Sequence, residues 1–207
     1  PVMNLCEKIE HPVFHLVGEA ADALGRECYV VGGYVRDLLL GRPSKDIDFV
    51  TVGSGIEVAS AVAKKIHGSR NFGTAQVKSR SVELEFVGAR KESYRRESRN
   101  PIVEDGTLAD DISRRDFTVN AMAVCVNSGR FGELVDMYGG VADLDARLIR
   151  TPLDPDVTFS DDPLRMMRAI RFATQLGFDI VPETFEAIRR NARRISIISR
   201  ERVMDEL

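Results

Sequence analysis

The run Cys28-Tyr29-Val30-Val31, leading through Gly32-Gly33-Tyr34-Val35-Arg36-Asp37 to Asp46-Ile47-Asp48, constrains this chain more than any other part of it. Aromatic and β-branched residues favour an extended strand, and the paired glycines end it. Val35 to Leu40 reads as a short helix stopped by Gly41 and Pro43, and Asp46 to Val52 as the next strand. Side chains two apart in a strand share a face, so Asp46 and Asp48 present their carboxylates together while Ile47 turns into the core. Two adjacent hard-oxygen anions repel unless a divalent cation neutralises them. Gly32 and Gly33 leave backbone amides bare at a helix N-terminus, where an anion is favoured, and Arg36 and Asp37 complete a turn suited to phosphate. A phosphate turn beside a metal pair is the equipment of phosphoryl transfer, with Mg²⁺ held against a nucleoside triphosphate.

The remaining sequence supplies a framework for these motifs. Helical periodicity runs from Val13 to Leu24, ahead of Gly25, and from Gly55 to Ile66 through Ile56, Ala59, Val62 and Ala63. Alternation predicts a hairpin of Ala75 to Lys78 and Val82 to Val87 across Ser79-Arg80-Ser81, which makes Glu85 a candidate third carboxylate on a neighbouring strand. Lys91 to Ala109, rich in Arg, Glu, Ser and Asn, reads as a long mobile loop. Asp116 to Ala123 reads as a helix leading into a strand near Met122 to Val126, Arg130 to Val135 as another strand, and Val141 to Ala146 as a helix after Gly139-Gly140. From Asp162 onward the pattern is helix only. A domain boundary is therefore expected near Leu153, between units spanning 1–153 and 154–207.

Apolar residues at 43% and charged residues at 29% exclude a disordered chain. The net charge of -3 gives no global case for a polyanionic partner, but Arg165, Arg168, Arg171, Arg189, Arg190, Arg193, Arg194, Arg200 and Arg202 make the second half basic. That distribution suits a nucleic acid whose reacting end meets the metal, and a solvated helical face accounts for it equally. Cys6, Cys28 and Cys125 lack metal-site spacing and read as reduced core thiols. Without a membrane-length apolar run or a basic-then-apolar leader, the expectation is a cytoplasmic protein with no membrane partner. His11, His15 and His67 read as ordinary residues rather than general bases.

The motifs together resemble those of the class II tRNA nucleotidyltransferases, the CCA-adding enzymes, and the closely similar bacterial poly(A) polymerases. From Cys28 to Leu207 they comprise the glycine turn with Asp46-Ile47-Asp48, Arg114-Arg115-Asp116-Phe117-Thr118-Val119-Asn120-Ala121, and Asp136 with Gly139-Gly140 and Asp143-Leu144. Asp161-Asp162-Pro163-Leu164-Arg165 and Glu201-Arg202 with Glu206-Leu207 complete the set. Asp161 stands where the family has glutamate, which keeps the charge and shortens its reach.

The resemblance implies an α+β fold: a DNA polymerase beta-like nucleotidyltransferase head, a small mixed sheet with flanking helices, followed by an all-α neck and by further helical domains beyond Leu207. It implies that Asp46 and Asp48 bind Mg²⁺ with Glu85 assisting, and that Arg115, Asp116, Asn120 and Arg168 contact the nucleotide. It also implies that Asp162 and Arg165 pair with the incoming base, so that protein replaces template. Their i, i+3 spacing would set both on one helix face, where carboxylate accepts from the exocyclic amine of C or A and guanidinium donates. An acidic cap with a local ion pair serves the same two residues. The implied reaction adds C, C and A from CTP and ATP to a tRNA 3′ end and releases pyrophosphate. Alternatives are a poly(A) polymerase, a CC-only or A-only enzyme, and a silent RNA-binding module, the last disfavoured by the intact aspartates. No protein partner is indicated.

Overall fold

Alternating burial on a few short strands decides the architecture. The computed structural model describes residues 3–66, 69–70, 75–79, 81–93, 102–198 and 200–207. The first half runs α1 (Pro12–Ala23), β1 (Cys28–Val31), α2 (Gly33–Leu40), β2 (Asp46–Thr51), α3 (Gly55–Ile66), β3 (Ser69–Arg70), β4 (Gln76–Lys78) and β5 (Glu83–Gly88). It continues with β6 (Arg90–Ser93), β7 (Ile102–Asp105), α4 (Leu108–Ser113), β8 (Ala123–Cys125), β9 (Leu134–Val135), α5 (Gly140–Ala146) and β10 (Leu148–Ile149). The last part holds α6 (Pro155–Asp161), α7 (Leu164–Leu176), β11 (Asp179–Ile180), α8 (Pro182–Asn191) and α9 (Arg200–Glu206).

The main sheet has the order β3-β4-β5-β2-β1-β8-β9. Its β2 and β5 run parallel and every other neighbouring pair is antiparallel, so the sheet is mixed and flanked by helices, an α+β fold. Cys28, Val30, Ile47, Phe49, Leu84 and Phe86 point to one face, where they pack with Val13, Val17, Val58 and Val62 of α1 and α3. Tyr29, Val31, Val50 and Cys125 point to the other, under Leu108 and Ile112 of α4. Asp46 and Asp48 share the parity of Val50. On that face β2 is thus apolar under α4 and carboxylate-bearing beyond it. A third core joins Phe117, Val119, Leu144 and Ile149 to Phe159, Met166, Phe172, Phe178 and Ala187, drawing on both sides of Leu153.

Several expectations require correction. The supposed loop from Lys91 to Ala109 contains β6 and β7, an antiparallel ribbon in which Arg90 lies opposite Asp105, and ends in the start of α4. Opposite charges in register favour such pairing, and the polar composition of the interval as a whole concealed it. Asp116 to Ala123 forms only a single 3-10 turn, Thr118–Asn120, because the Asp116 carboxylate takes the Phe117 amide and the Asn120 side chain and bends the chain locally. The strand expected over Arg130 to Val135 shrinks to β9, preceded by the turn Ser128–Arg130. The final part is not purely helical, since β11 pairs in parallel with β10. Cys6 is exposed rather than a core thiol, whereas Cys28 and Cys125 are buried, and burial pushes the Cys28 thiol up to about 12. The turn residue Arg80, His67 and positions 94–101 of the expected loop lie outside the described residues.

Candidate active site

Asp46 and Asp48 project together from the solvent-exposed start of β2, with Ile47 between them buried in the core. In the parallel register Glu83 stands beside Asp46 and Glu85 beside Asp48, and β4 adds Gln76 and Lys78. These residues line an open depression of about 450 Å³. Although Asp48 is open to solvent, its carboxyl group lies low in this depression. Desolvation and then the charges of Glu85 and Asp46 push its pKa up, while Arg115 pulls it back. Like charges crowded with only partial compensation are what a bound dication relieves. Among the described residues no three His, Cys, Asp or Glu side chains converge closely enough to hold a metal ion between them. Glu85 therefore sits beside the aspartates as a neighbouring charge. Two carboxylates still fit Mg²⁺, which keeps several waters and completes its shell with substrate phosphates.

The glycine turn adjoins this depression. Gly32 has φ 74 and ψ -141, a conformation open to glycine and hostile to other residues. A Cβ on Gly32 would meet the Arg115 guanidinium at 3.3 Å, and one on Gly33 would meet Arg36 at 3.2 Å. The space that the glycines leave is filled by guanidinium groups, so the turn offers fixed positive charge, while the Gly32 amide, expected to be bare, donates to the Met122 carbonyl at 3.4 Å. Arg115 is held there by Asp111, whose Oδ2 accepts from its Nε at 3.2 Å and its Nη2 at 3.0 Å, while Oδ1 accepts from Arg114 at 2.9 Å. The Asp111 carboxylate is fully buried.

A continuous polar network extends from the turn into the helical part. The Arg36 guanidinium donates to Asp37 at 3.1 Å and to the Asn120 carbonyl at 2.7 Å. The Asn120 amide donates to Asp116 at 3.2 Å, and Arg168 of α7 pairs with the other Asp116 oxygen at 3.0 Å. Five residues expected to contact the nucleotide, Arg36, Asp37, Asp116, Asn120 and Arg168, thus form one chain of contacts drawn from α2, the 3-10 turn and α7. Beneath it lies the Phe172 ring, with Arg36, Arg168 and Arg171 at 5.2, 5.5 and 4.8 Å from its centroid.

Asp162 and Arg165 do not share one helix face as their spacing suggested. Asp162 is the extended residue that closes α6, with φ -144 and ψ 98, and Arg165 lies in the first turn of α7. Pro163 between them accounts for the break, since the residue before proline is driven out of the helical region. The two remain close, because the Arg165 amide donates to the Asp162 carbonyl at 3.1 Å. Asp162 Oδ1 accepts from the Leu164 amide at 3.2 Å. The Arg165 guanidinium donates to the Thr158 carbonyl at 3.2 Å and to the Arg114 carbonyl at 2.6 Å. That last bond ties the α6–α7 junction to the segment carrying Arg115 and Asp116.

Sequence reasoning overlooked Asp111 and Phe172, and it quoted Asp143 in a motif without giving it a role; the buried Asp143 carboxylate accepts from Thr118 at 2.6 Å and pairs with Arg150 at 3.2 Å. Asp111 stands three and four residues before Arg114 and Arg115, helical spacing for ion pairs, and that signal was available. Phe172 carried a partial one, since Arg168 and Arg171 are its neighbours on α7, but the approach of Arg36 comes from a residue distant in sequence.

A family model described as Poly A polymerase head domain matches residues 28–150, and one described as "Probable RNA and SrmB- binding site of polymerase A" matches residues 177–207. The A-adding tRNA nucleotidyltransferase of Aquifex aeolicus is 42% identical over 186 residues, which cover 86% of this chain and 22% of that protein. The CCA-adding enzyme of Anoxybacillus flavithermus is 40% identical over 184 residues, covering 88% of this chain and 45% of that protein. A crystal structure of a tRNA nucleotidyltransferase complexed with a primer tRNA and an incoming ATP analog superposes with a TM-score of 0.80 at 37% identity, over 92% of this chain and 54% of that one. The chain spans less than half the length of the two curated relatives.

Proposed function

Because the chain belongs to the poly A polymerase head-domain family, we propose that it carries the nucleotidyltransferase centre that adds C and A to the 3′ end of tRNA without a nucleic-acid template. CTP and ATP would be the donors and pyrophosphate the leaving group. Residues 1–153 would form the catalytic head and 154–207 the start of the RNA-binding neck. The observation that carries the reading is the pairing of Asp46 and Asp48 on one exposed strand face, with Arg115 and the Gly32-Gly33 turn alongside.

In this reading Asp46 and Asp48 would hold Mg²⁺, with Glu85 adding negative charge. The ion would neutralise the triphosphate and favour the ionised form of the attacking hydroxyl. Arg115, fixed by Asp111, and Arg36, fixed by Asn120 and Asp37, present guanidinium groups to the phosphates over the glycine turn. Asp116 and Asn120 offer an acceptor and an amide to the ribose hydroxyls, with Arg168 orienting Asp116 through their 3.0 Å pair. The Asp162 carboxylate accepts from the exocyclic amine of C or A while Arg165 donates to the ring, and U or G would present mismatched edges. Since Arg165 is bound to the Arg114 carbonyl, the base would be read at a fixed distance from the sugar and phosphate.

A second reading, addition of A alone, draws support from the Aquifex relative. An incorporation assay on tRNA ending before CC, after C and after CC, with each nucleotide separately, distinguishes the two. Addition of C and then A supports the first, A on CC-ended tRNA alone supports the second, and long A tails point to a poly(A) polymerase. No incorporation by protein containing intact Asp46 and Asp48 would overturn all three.

A further inference from the structure

The last motif, Glu201-Arg202 with Glu206-Leu207, has no part in the scheme above, yet its helix lies against the residues that would read the base. Arg202 and Glu206 are four apart on α9 and therefore share a face. The Arg202 Nη2 donates to Asp162 Oδ2 at 3.1 Å. Glu206 pairs with Arg171 at 3.1 Å and reaches Arg168 at 3.9 Å, with its side chain only 13% exposed. One end of the face is thus anchored on α7, and the other holds the Asp162 carboxylate.

We propose that Arg202 is a specificity-positioning residue, which sets the rotation of the Asp162 carboxylate that meets the incoming base, and that Glu206 anchors the helix that aims it. The inference rests on the base-reading role given to Asp162 above. Asp162 occupies an irregular junction, where helix packing does not fix its side chain. Oδ1 is fixed by the Leu164 amide, and without a second contact the carboxylate could still swing about that bond. Arg202 supplies the second contact at Oδ2. Each carboxylate oxygen has two acceptor sites, so both oxygens keep capacity to accept from an exocyclic amine. The side chains of Arg202 and Asp162 are 52% and 30% exposed. An ion pair this open contributes little to folding, so its value lies in orientation. A contact that fixes a discriminating group affects the ratio between competing substrates more than the rate with any one of them.

The test measures kcat/KM for CTP and for UTP with the full-length protein on tRNA ending before CC. Arg202→Ala is expected to lower the CTP/UTP ratio about fivefold, the scale of an exposed ion pair. Arg202→Lys should restore most of the loss, and Glu206→Gln should shift the ratio in the same direction by less. In an Asp162→Ala background Arg202→Ala should have no further effect. An unchanged ratio in Arg202→Ala would overturn the proposal, as would an equal shift with Asp162 already removed, or a uniform loss with all nucleotides. Melting curves accompany each variant; if Arg202→Ala fails to fold, Arg202→Gln, which keeps the stem and removes the charge, carries the same comparison beside Glu206→Gln. Asp162→Ala alone separates the two levels. If it leaves selection intact, the base-reading assignment falls, whereas relaxed selection in Asp162→Ala without any in Arg202→Ala removes Arg202 only.

Discussion

The carboxylate depression on β2 and the network running from Arg36 to Arg168 use the same kinds of side chain and leave them in opposite conditions. In the network each carboxylate has a cationic or amide partner: Asp37 has Arg36, Asp111 has Arg114 and Arg115, and Asp116 has Asn120 and Arg168. In the depression Asp48 stands among Glu85 and Asp46, with Arg115 as partial relief. The network is assembled before any ligand arrives, and the depression carries charge repulsion that a ligand would relieve. A site of this kind has its positioning groups supported by the fold and its charge-handling groups opposed to it.

The largest expected effect breaks the contrast from the depression side. Asp46→Ala or Asp48→Ala should lower incorporation about a thousandfold or more, the scale of a lost metal ligand, with the melting temperature not lowered. Retained incorporation by both variants would sink the metal assignment. On the network side, Asp111→Ala should cost about 3 kcal/mol in urea unfolding, because it strips two arginines of a fully buried counter-ion. A loss below about 1 kcal/mol would mean that Arg114 and Arg115 find water instead. Arg165→Ala joins the two regions, since it cuts the bond to the Arg114 carbonyl. It should relax the preference for C and A over U and G by about tenfold to a hundredfold, measured as kcat/KM ratios.

The smallest effect is the most diagnostic of the contrast. Asp48 has a raised folded-state pKa, so its contribution to stability is present below the unfolded value and is lost as pH rises through the folded one. Ionised Asp48 thus weakens the ligand-free fold at neutral pH. Asp48→Asn should raise the melting temperature at pH 7 without divalent ions, with the difference closing in acid, and added Mg²⁺ should stabilise the parent more than the variant. A variant less stable than the parent at pH 7 would place the Asp48 carboxylate among the supporting groups instead.

What was legible in the sequence follows the same division. Asp46 and Asp48 could be read from alternation along one strand, and Gly32-Gly33 from local backbone chemistry. The helices α1, α2 and α3 declared themselves through period and punctuation. The network was not derivable from spacing, because Arg36, Asn120, Asp116 and Arg168 are joined by tertiary packing around Phe172; only the family resemblance named most of its members. The ribbon of β6 and β7 was hidden because its strands show no apolar alternation and opposite charges meet only across the register, as at Arg90 and Asp105. The expected helix after Asp116 failed because a buried carboxylate competes locally for the backbone amide that a helix would use. Asp162 and Arg165 lie close together but not on one helix face, since Pro163 puts a corner where spacing alone suggested a smooth helix.

The short parallel pair β10–β11 has a mechanical meaning. The Asp179 amide donates to the Arg147 carbonyl at 2.9 Å and the Val181 amide to the Ile149 carbonyl at 3.1 Å. The stretch between them, holding α6 and α7, is therefore a loop sewn shut at its base, like a strap buckled at both ends. Its helices can tilt only by stretching that stitch or by turning together about it. Both Leu153 and Phe178 lie within the strap, but a residue inserted beside Phe178 would displace a buried side chain at the stitch, whereas one added near Leu153 would lengthen an exposed bend. Small changes of length would thus be felt very differently at the two ends of the same strap.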